Sequence, residues 1–163
     1  MRQRGQSTLY AILLMPMLLM VVSLVADIGS LQVETVRLRW ADDMALVDAV
    51  TEVDSTQYAA VGQIQLDPAA ERVYRSYLVP NLAPLRGVMA DGATPESVAK
   101  NAELAVINSV PATNPFNGHR LDRPAVCARI RVPIQTGLLS LAGLRSAQTL
   151  TVSGDAEVQV DLR

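Results

Sequence analysis

The sequence predicts an α+β chain in which an N-terminal transmembrane helix runs on as a long amphipathic helix and ends in a small mixed head. Three observations carry this. Ser7 to Ala26 is uncharged and dominated by Leu, Met, Val and Ile. Apolar residues at spacings of three and four then continue past Asp27, and the last quarter changes to strict alternation. The composition agrees: 50% hydrophobic, only 4% aromatic and a mean hydropathy of +0.22 mean that apolar residues are concentrated somewhere.

That place is the N-terminus. Residues 1–6 form a short basic leader with Arg2 and Arg4, and 7–26 the membrane segment, long enough as a helix to cover about 30 Å of hydrocarbon. A cleaved secretory signal is the competing reading, but the exit Asp27-Ile28-Gly29 has no clear small-x-small cleavage signature and the apolar run exceeds a usual signal core. Retention as an anchor is therefore expected. Pro16 lies mid-span, where lipid-embedded helices tolerate it. The charges Arg2 and Arg4 favour a cytoplasmic N-terminus and a head in the periplasm or outside the cell.

Residues 27–60 read as a helical stalk, in which Val33, Val36, Trp40, Met44 and Val47 form a stripe. Two roles are open for it: packing beneath the chain's own head, or packing against neighbouring helices with Trp40 as anchor. Nine acids against two bases make residues 27–71 acidic beside a mildly basic head; attraction between the two, within one chain or between neighbours, is one reading, and an ordinary solvated helix face is the expectation. Gly29 offers a bend at the membrane surface.

Residues 61–163 read as the head. Asp67-Pro68 starts a helix ending near Pro80, and Thr94-Pro95-Glu96 starts another reaching Asn108. Pro111 to Pro124 reads as a polar loop. Strands are expected near 125–134 and 148–162, with Val126, Ala128, Ile130, Val132 and Ile134 on the inner face of the first, and Leu150, Val152, Ala156, Val158, Val160 and Leu162 on that of the second. Arg129 and Arg131 are expected to oppose the acids Asp155, Glu157 and Asp161 across the pair, and Gly154 to mark a bulge. The apolar link from Gly137 to Leu144 reads as a short helix capping the sheet, or alternatively as a surface for a neighbouring subunit or the bilayer.

The chain offers little for catalysis. One histidine, His119, and one cysteine, Cys127, supply neither a zinc site nor a ready triad, and no acidic run has calcium-loop spacing, so an enzyme, a cofactor and a metal are not expected. A net charge of -2 argues against nucleic acid as a partner.

A basic stub, Gly5-Gln6, an apolar helix holding Pro16, the Asp27-Ile28-Gly29 exit, Arg39-Trp40-Ala41-Asp42-Asp43-Met44-Ala45-Leu46, and Arg131-Val132-Pro133-Ile134 before a Leu-rich stretch and a Thr-Val-Ser strand occur here in order. This order resembles the TadE and TadG pseudopilins of tight-adherence (Flp) pilus systems, TadE-like by size. The resemblance implies a pilin-like fold and a non-enzymatic minor pseudopilin in the inner membrane. Its partners would be the bilayer, other pilin subunits, the assembly machinery and a prepilin peptidase cutting between Gly5 and Gln6. Tyr10 then stands where the family places a glutamate that aligns subunits, and Tyr10, Pro16 and Asp27 are the assembly-helix positions. The missing carboxylate keeps open an accessory protein outside the filament. A secreted binding domain is the third reading.

Overall fold

A computed structural model describes residues 4–90, 92–135 and 147–159. The chain is α+β, as the sequence predicts. Helix α1, Arg4–Val50, is 47 residues long and passes through Pro16 and Gly29 without interruption. It is followed by α2 (Ser55–Val61), α3 (Ala70–Leu82), a 3-10 turn (Ala83–Leu85), α4 (Pro95–Asn101), β1 (Glu103–Ile107), β2 (Ala112–Thr113), β3 (Arg120–Leu121), β4 (Ala125–Gln135) and β5 (Ala147–Glu157). Among the described residues three α-helices thus follow α1, where one or two were expected.

The stalk ends earlier than its pattern suggests. Asp48 and Ala49 carbonyls accept from Thr51 and Glu52 in a closing turn, and Asp54 then caps α2 by accepting from Thr56 N at 2.9 Å and Gln57 N at 3.0 Å. Asp54 is therefore a helix-starting residue within the acidic run, a role its side chain performs well. Gly62, at φ 69°, ends α2, a conformation that glycine reaches without strain.

Helix α3 starts at Ala70, two residues beyond the expected Pro68, and Asp67 serves the turn before it by accepting from Ala69 N at 2.6 Å. Its buried residues Ala70, Tyr74, Leu78 and Leu82 recur every four positions and pack along α1. The start of α4 is as expected: Thr94 and Ser97 form a reciprocal cap with Pro95 in the first turn. Its end is not. Ala102 turns extended, Arg75 of α3 donates to the carbonyls of Ala99, Lys100 and Ala102, and residues 103–107 form β1. The run Glu-Leu-Ala-Val-Ile is too short for periodicity to separate helix from strand, and pairing with β4 decides it.

The sheet order is β1-β4-β5, both pairs antiparallel. The inner-face assignment of β4 holds: Val126, Ala128, Ile130, Val132 and Ile134 are buried against α1 and α4, with Val152 and Val158 beside them in the same core. The charge pairing across β4 and β5 does not. Arg129 faces Ser153 and Arg131 faces Thr151, whereas Asp155 and Glu157 face Cys127 and Ala125. The arginines turn to β1 instead, Arg131 at 2.9 Å and Arg129 at 3.7 Å from Glu103. The unexpected strand supplied the acid. Register runs unbroken through Gly154, so there is no bulge there.

The expected polar loop 111–124 contains the β2–β3 hairpin, which covers the other face of the sheet with a second small core of Leu121, Ala125 and Cys127 flanked by Ala105, Ile107 and Phe116. Residues 137–144 and the end of the second strand beyond Gln159 lie outside the described residues.

Ile130 sits fully buried between sheet and helices, so Ile130→Asp, which buries a charge without a partner, is expected to cost several kcal/mol, ~3 or more, in chemical unfolding. Arg131→Gln, on an exposed side chain, is expected to stay within about 1 kcal/mol. Equal losses would show the faces to be assigned wrongly.

Candidate functional site

Helix α1 has two faces with different fates. Asp27, Glu34, Leu38, Ala41, Asp42, Ala45, Leu46 and Ala49 are buried, whereas Val33, Val36, Trp40, Met44 and Val47 are exposed, Trp40 at 56% and Val36 at 64%. At 100° per residue the two sets fall on opposite sides of the helix. The role beneath the chain's own head is thereby excluded for the stripe. Both faces carry apolar residues; the head takes the one with the smaller side chains, because alanine at 41, 45 and 49 lets the sheet approach the helix axis.

Gly154 completes that approach from the other side. A Cβ there would lie 2.9 Å from Leu46 Cδ1 and 3.0 Å from Asp42 Oδ2. The expectation of a solvated acidic face fails here, since Asp42 is fully buried and accepts from Tyr74 Oη at 2.5 Å. Its Oδ2 meets no donor among the described residues, and the same holds for Glu34 Oε2, whose Oε1 pairs with Arg37 at 3.1 Å. Burial pushes the Asp42 carboxyl up to about 6, the Tyr74 bond pulls it down and Asp43 adds a smaller upward push. Burial, together with the charge and hydrogen bond of Asp42, raises the Tyr74 phenol well above its ordinary value.

A second polar cluster fixes the hairpin to β5. Asp155 accepts from Asn114 at 2.9 Å and Asn117 at 3.0 Å, and His119 Nδ1 lies 3.0 Å from its Oδ2. Burial pushes the Asp155 carboxyl up, but the hydrogen bonds from Asn117, Asn114 and His119 outweigh it and hold the group below its usual value. Arg129 donates to Phe116 O and stacks 5.0 Å from the Phe116 ring. These contacts are explained by the fold, and Asp155 also lines a half-open groove at the end of β5. Cys127 is buried, and burial followed by the charges of Asp155 and Glu157 pushes its thiol up to about 12, so the thiolate is scarce at neutral pH. No group of three or more metal-ligating side chains occurs among the described residues.

The remaining sequence-level candidates lie on the apolar half of α1. Gly5 and Gln6 fall in its first turn, Tyr10 is exposed at 61%, Pro16 is inside the helix, and Asp27 is buried. Ile12 to Val25 is exposed along nearly its whole circumference, and α1 alone among the described helices is long and apolar enough to cross a membrane. Sequence reasoning missed Asp42, Tyr74 and Gly154. Their signal was present only as an acid in an alanine-rich face, since a glycine in a strand points equally to a bulge or a close contact. No family model, curated protein or solved structure matches the chain.

A carboxyl whose pKa is raised on folding binds its proton more tightly in the native state, so native stability from Asp42 is greatest below about pH 4, falls as pH rises towards about 6 and is level above. Linkage makes that loss on the order of 3 kcal/mol. In urea unfolding of the full chain from pH 4 to 7, Asp42→Asn is expected to flatten the fall; an unchanged slope would show that Asp42 is not the buried titrating group.

Proposed function

We propose that this chain is a non-enzymatic, membrane-anchored minor pseudopilin that assists assembly of a tight-adherence (Flp-type) pilus. The observation that carries the reading is α1 itself: one uninterrupted helix, exposed and apolar on all sides in its first half, that backs an antiparallel sheet in its second half and still leaves an apolar stripe uncovered. A soluble domain has no use for such a first half, since exposing it to water costs about 25 cal/mol per Å². Residues 7–26 would cross the inner membrane with the N-terminus in the cytoplasm, and the head would face the periplasm or the exterior. The pilin-like description belongs to this proposal, supported by the helix-backed sheet and the order of N-terminal motifs.

In this reading Val33, Val36, Trp40, Met44 and Val47 pack against helices of other pilin or pseudopilin subunits, with Trp40 burying the largest area. Gly5 and Gln6 are the processing site for a prepilin peptidase. Tyr10 favours the second reading, an assembly accessory that stays in the membrane, because an exposed phenol cannot neutralise a neighbouring amino terminus as a carboxylate would. The third reading, secretion after cleavage near Asp27, is disfavoured by a helix that passes through that point unbroken.

Cysteines at Val36 and Trp40 in a Cys127→Ala chain are expected to crosslink to other subunits in cells carrying the pilus machinery and to lose those products when it is deleted. Intact mass from such cells is expected to show loss of Met1 to Gly5. Absence of crosslinks at both positions, or products indifferent to the machinery, would contradict the assembly role; crosslinks with Met1 retained would favour the accessory protein.

A further inference from the structure

Asp42 sits where α1, α3 and β5 meet. Its Oδ1 accepts from Tyr74 Oη of α3, while its Oδ2 is buried without a donor and lies 3.0 Å from the point where a side chain on Gly154 would begin. Leu46 Cδ1 is 2.9 Å from the same point and Asp43 Oδ1 3.5 Å, so two neighbouring carboxyls bracket Gly154 in a seam with no room for a water at Asp42 Oδ2. Only a glycine lets β5 close this far, and it offers the carboxyl no polar side chain in return.

The charged groups around the seam do not pair with Asp42. On α1 itself, Asp43 is a second acid and Arg39, three positions earlier, is exposed. Helix α3 presents Tyr74 and Arg75, and the Arg75 guanidinium is taken up by the carbonyls of Ala99, Lys100 and Ala102. On β5, Asp155 next to Gly154 turns to Asn114, Asn117 and His119. Strand β4 sets Ala128 opposite Gly154, and its arginines turn to Glu103 and to Phe116 O. A carboxylic acid tolerates such a place far better than a carboxylate, whose two oxygens call for several donors. Burial raises the Asp42 carboxyl to about 6, with Tyr74 opposing the rise and Asp43 adding to it.

We propose that Asp42 is a proton-operated latch between α1 and β5, closed over Gly154 when the carboxyl holds its proton and opened there to water when the proton is lost to solvent. The two neighbours of Asp42 respond differently. Tyr74 Oη donates to the carboxyl, a bond that strengthens on ionisation, so α3 stays against α1. Gly154 meets Oδ2 through carbon alone, so β5 is the side that yields. With the carboxyl near 6, the seam is closed at pH 5 and open at pH 7.5. Asp42, Tyr74 and Gly154 all belong to the head and its supporting half of α1, and the latch requires neither the membrane anchor nor the pilus reading.

Spin labels on the full chain in lipid nanodiscs, in a Cys127→Ala background, test the latch. The pair at Val47 and Thr151, both exposed, spans α1 and β5, and the pair at Val47 and Ser76 spans α1 and α3. The first distance is expected to be narrow at pH 5 and to lengthen at pH 7.5 by about the width of one water, ~3 Å, while the second stays constant. Asp42→Asn, which keeps the shape of the protonated acid, is expected to hold the short distance at both pH values. Two milder variants move the midpoint of the change in opposite directions: Asp43→Asn, on an exposed side chain, lowers it by removing a like charge, and Tyr74→Phe raises it by removing the donor that favours the carboxylate. An α1–β5 distance unchanged between pH 5 and 7.5 would overturn the proposal. So would lengthening that persists in Asp42→Asn, a midpoint indifferent to Asp43→Asn, or parallel lengthening of both pairs, which would mark a general loosening of the head rather than a latch at Gly154.

Discussion

Everything in the head depends on how closely α1 lies against the sheet. Ala41, Ala45 and Ala49 on the helix and Gly154 on β5 remove the side chains that would hold the two apart. Into the space so narrowed fit Leu38 and Leu46, the β4 row from Val126 to Ile134, and the Tyr74, Leu78 and Leu82 ridge of α3. Each fully buried large side chain contributes roughly 1.5 to 3 kcal/mol, so this contact is the main source of order in a head with few aromatic residues. Asp42 works against it energetically. A buried carboxyl with one oxygen unpaired is a cost, and its bond to Tyr74 ties α1 to α3 at one register rather than adding to stability.

The same contact divides the surface of α1. By taking the alanine face, the head leaves Val33, Val36, Trp40, Met44 and Val47 in solvent, continuous with the apolar half of the helix. Asp27, buried, follows immediately after the 20-residue uncharged run. Helix α1 is thus a rod about 70 Å long, with one end suited to lipid and the other forming a wall of the head. Any force on or displacement of the head is transmitted to the apolar half without an intervening linker.

Much of this architecture was legible in the sequence, and the failures have physical causes. The membrane-type run, the continuation of α1, the cap at Thr94 and the inner face of β4 follow from hydropathy, periodicity and capping chemistry, which act locally. What failed was decided by contacts distant in sequence. The Glu103–Ile107 strand exists because β4 needs a neighbour, and its Glu103 then takes the arginines that composition assigned to β5. On α1 the larger apolar residues mark the stripe more strongly than the true inner face, because alanine contributes little to a periodic signal although it permits the closest packing. The candidate stripe was visible from spacing, but which side of the helix it occupies was not. The polar contacts of Asp42 with Tyr74, 32 positions away, and of Asp155 with Asn114, 41 away, left no local trace.

The central claim is that one rigid helix joins the apolar segment to the head. Spin labels at Val25 and Val47, both exposed and on the same side of α1, test it most directly in a Cys127→Ala chain reconstituted in nanodiscs. The account predicts a single narrow distance distribution centred near 33 Å, the length of 22 helical residues. A broad distribution, or one centred well below that value, would show that α1 breaks at Gly29 or nearby and that the two halves move independently.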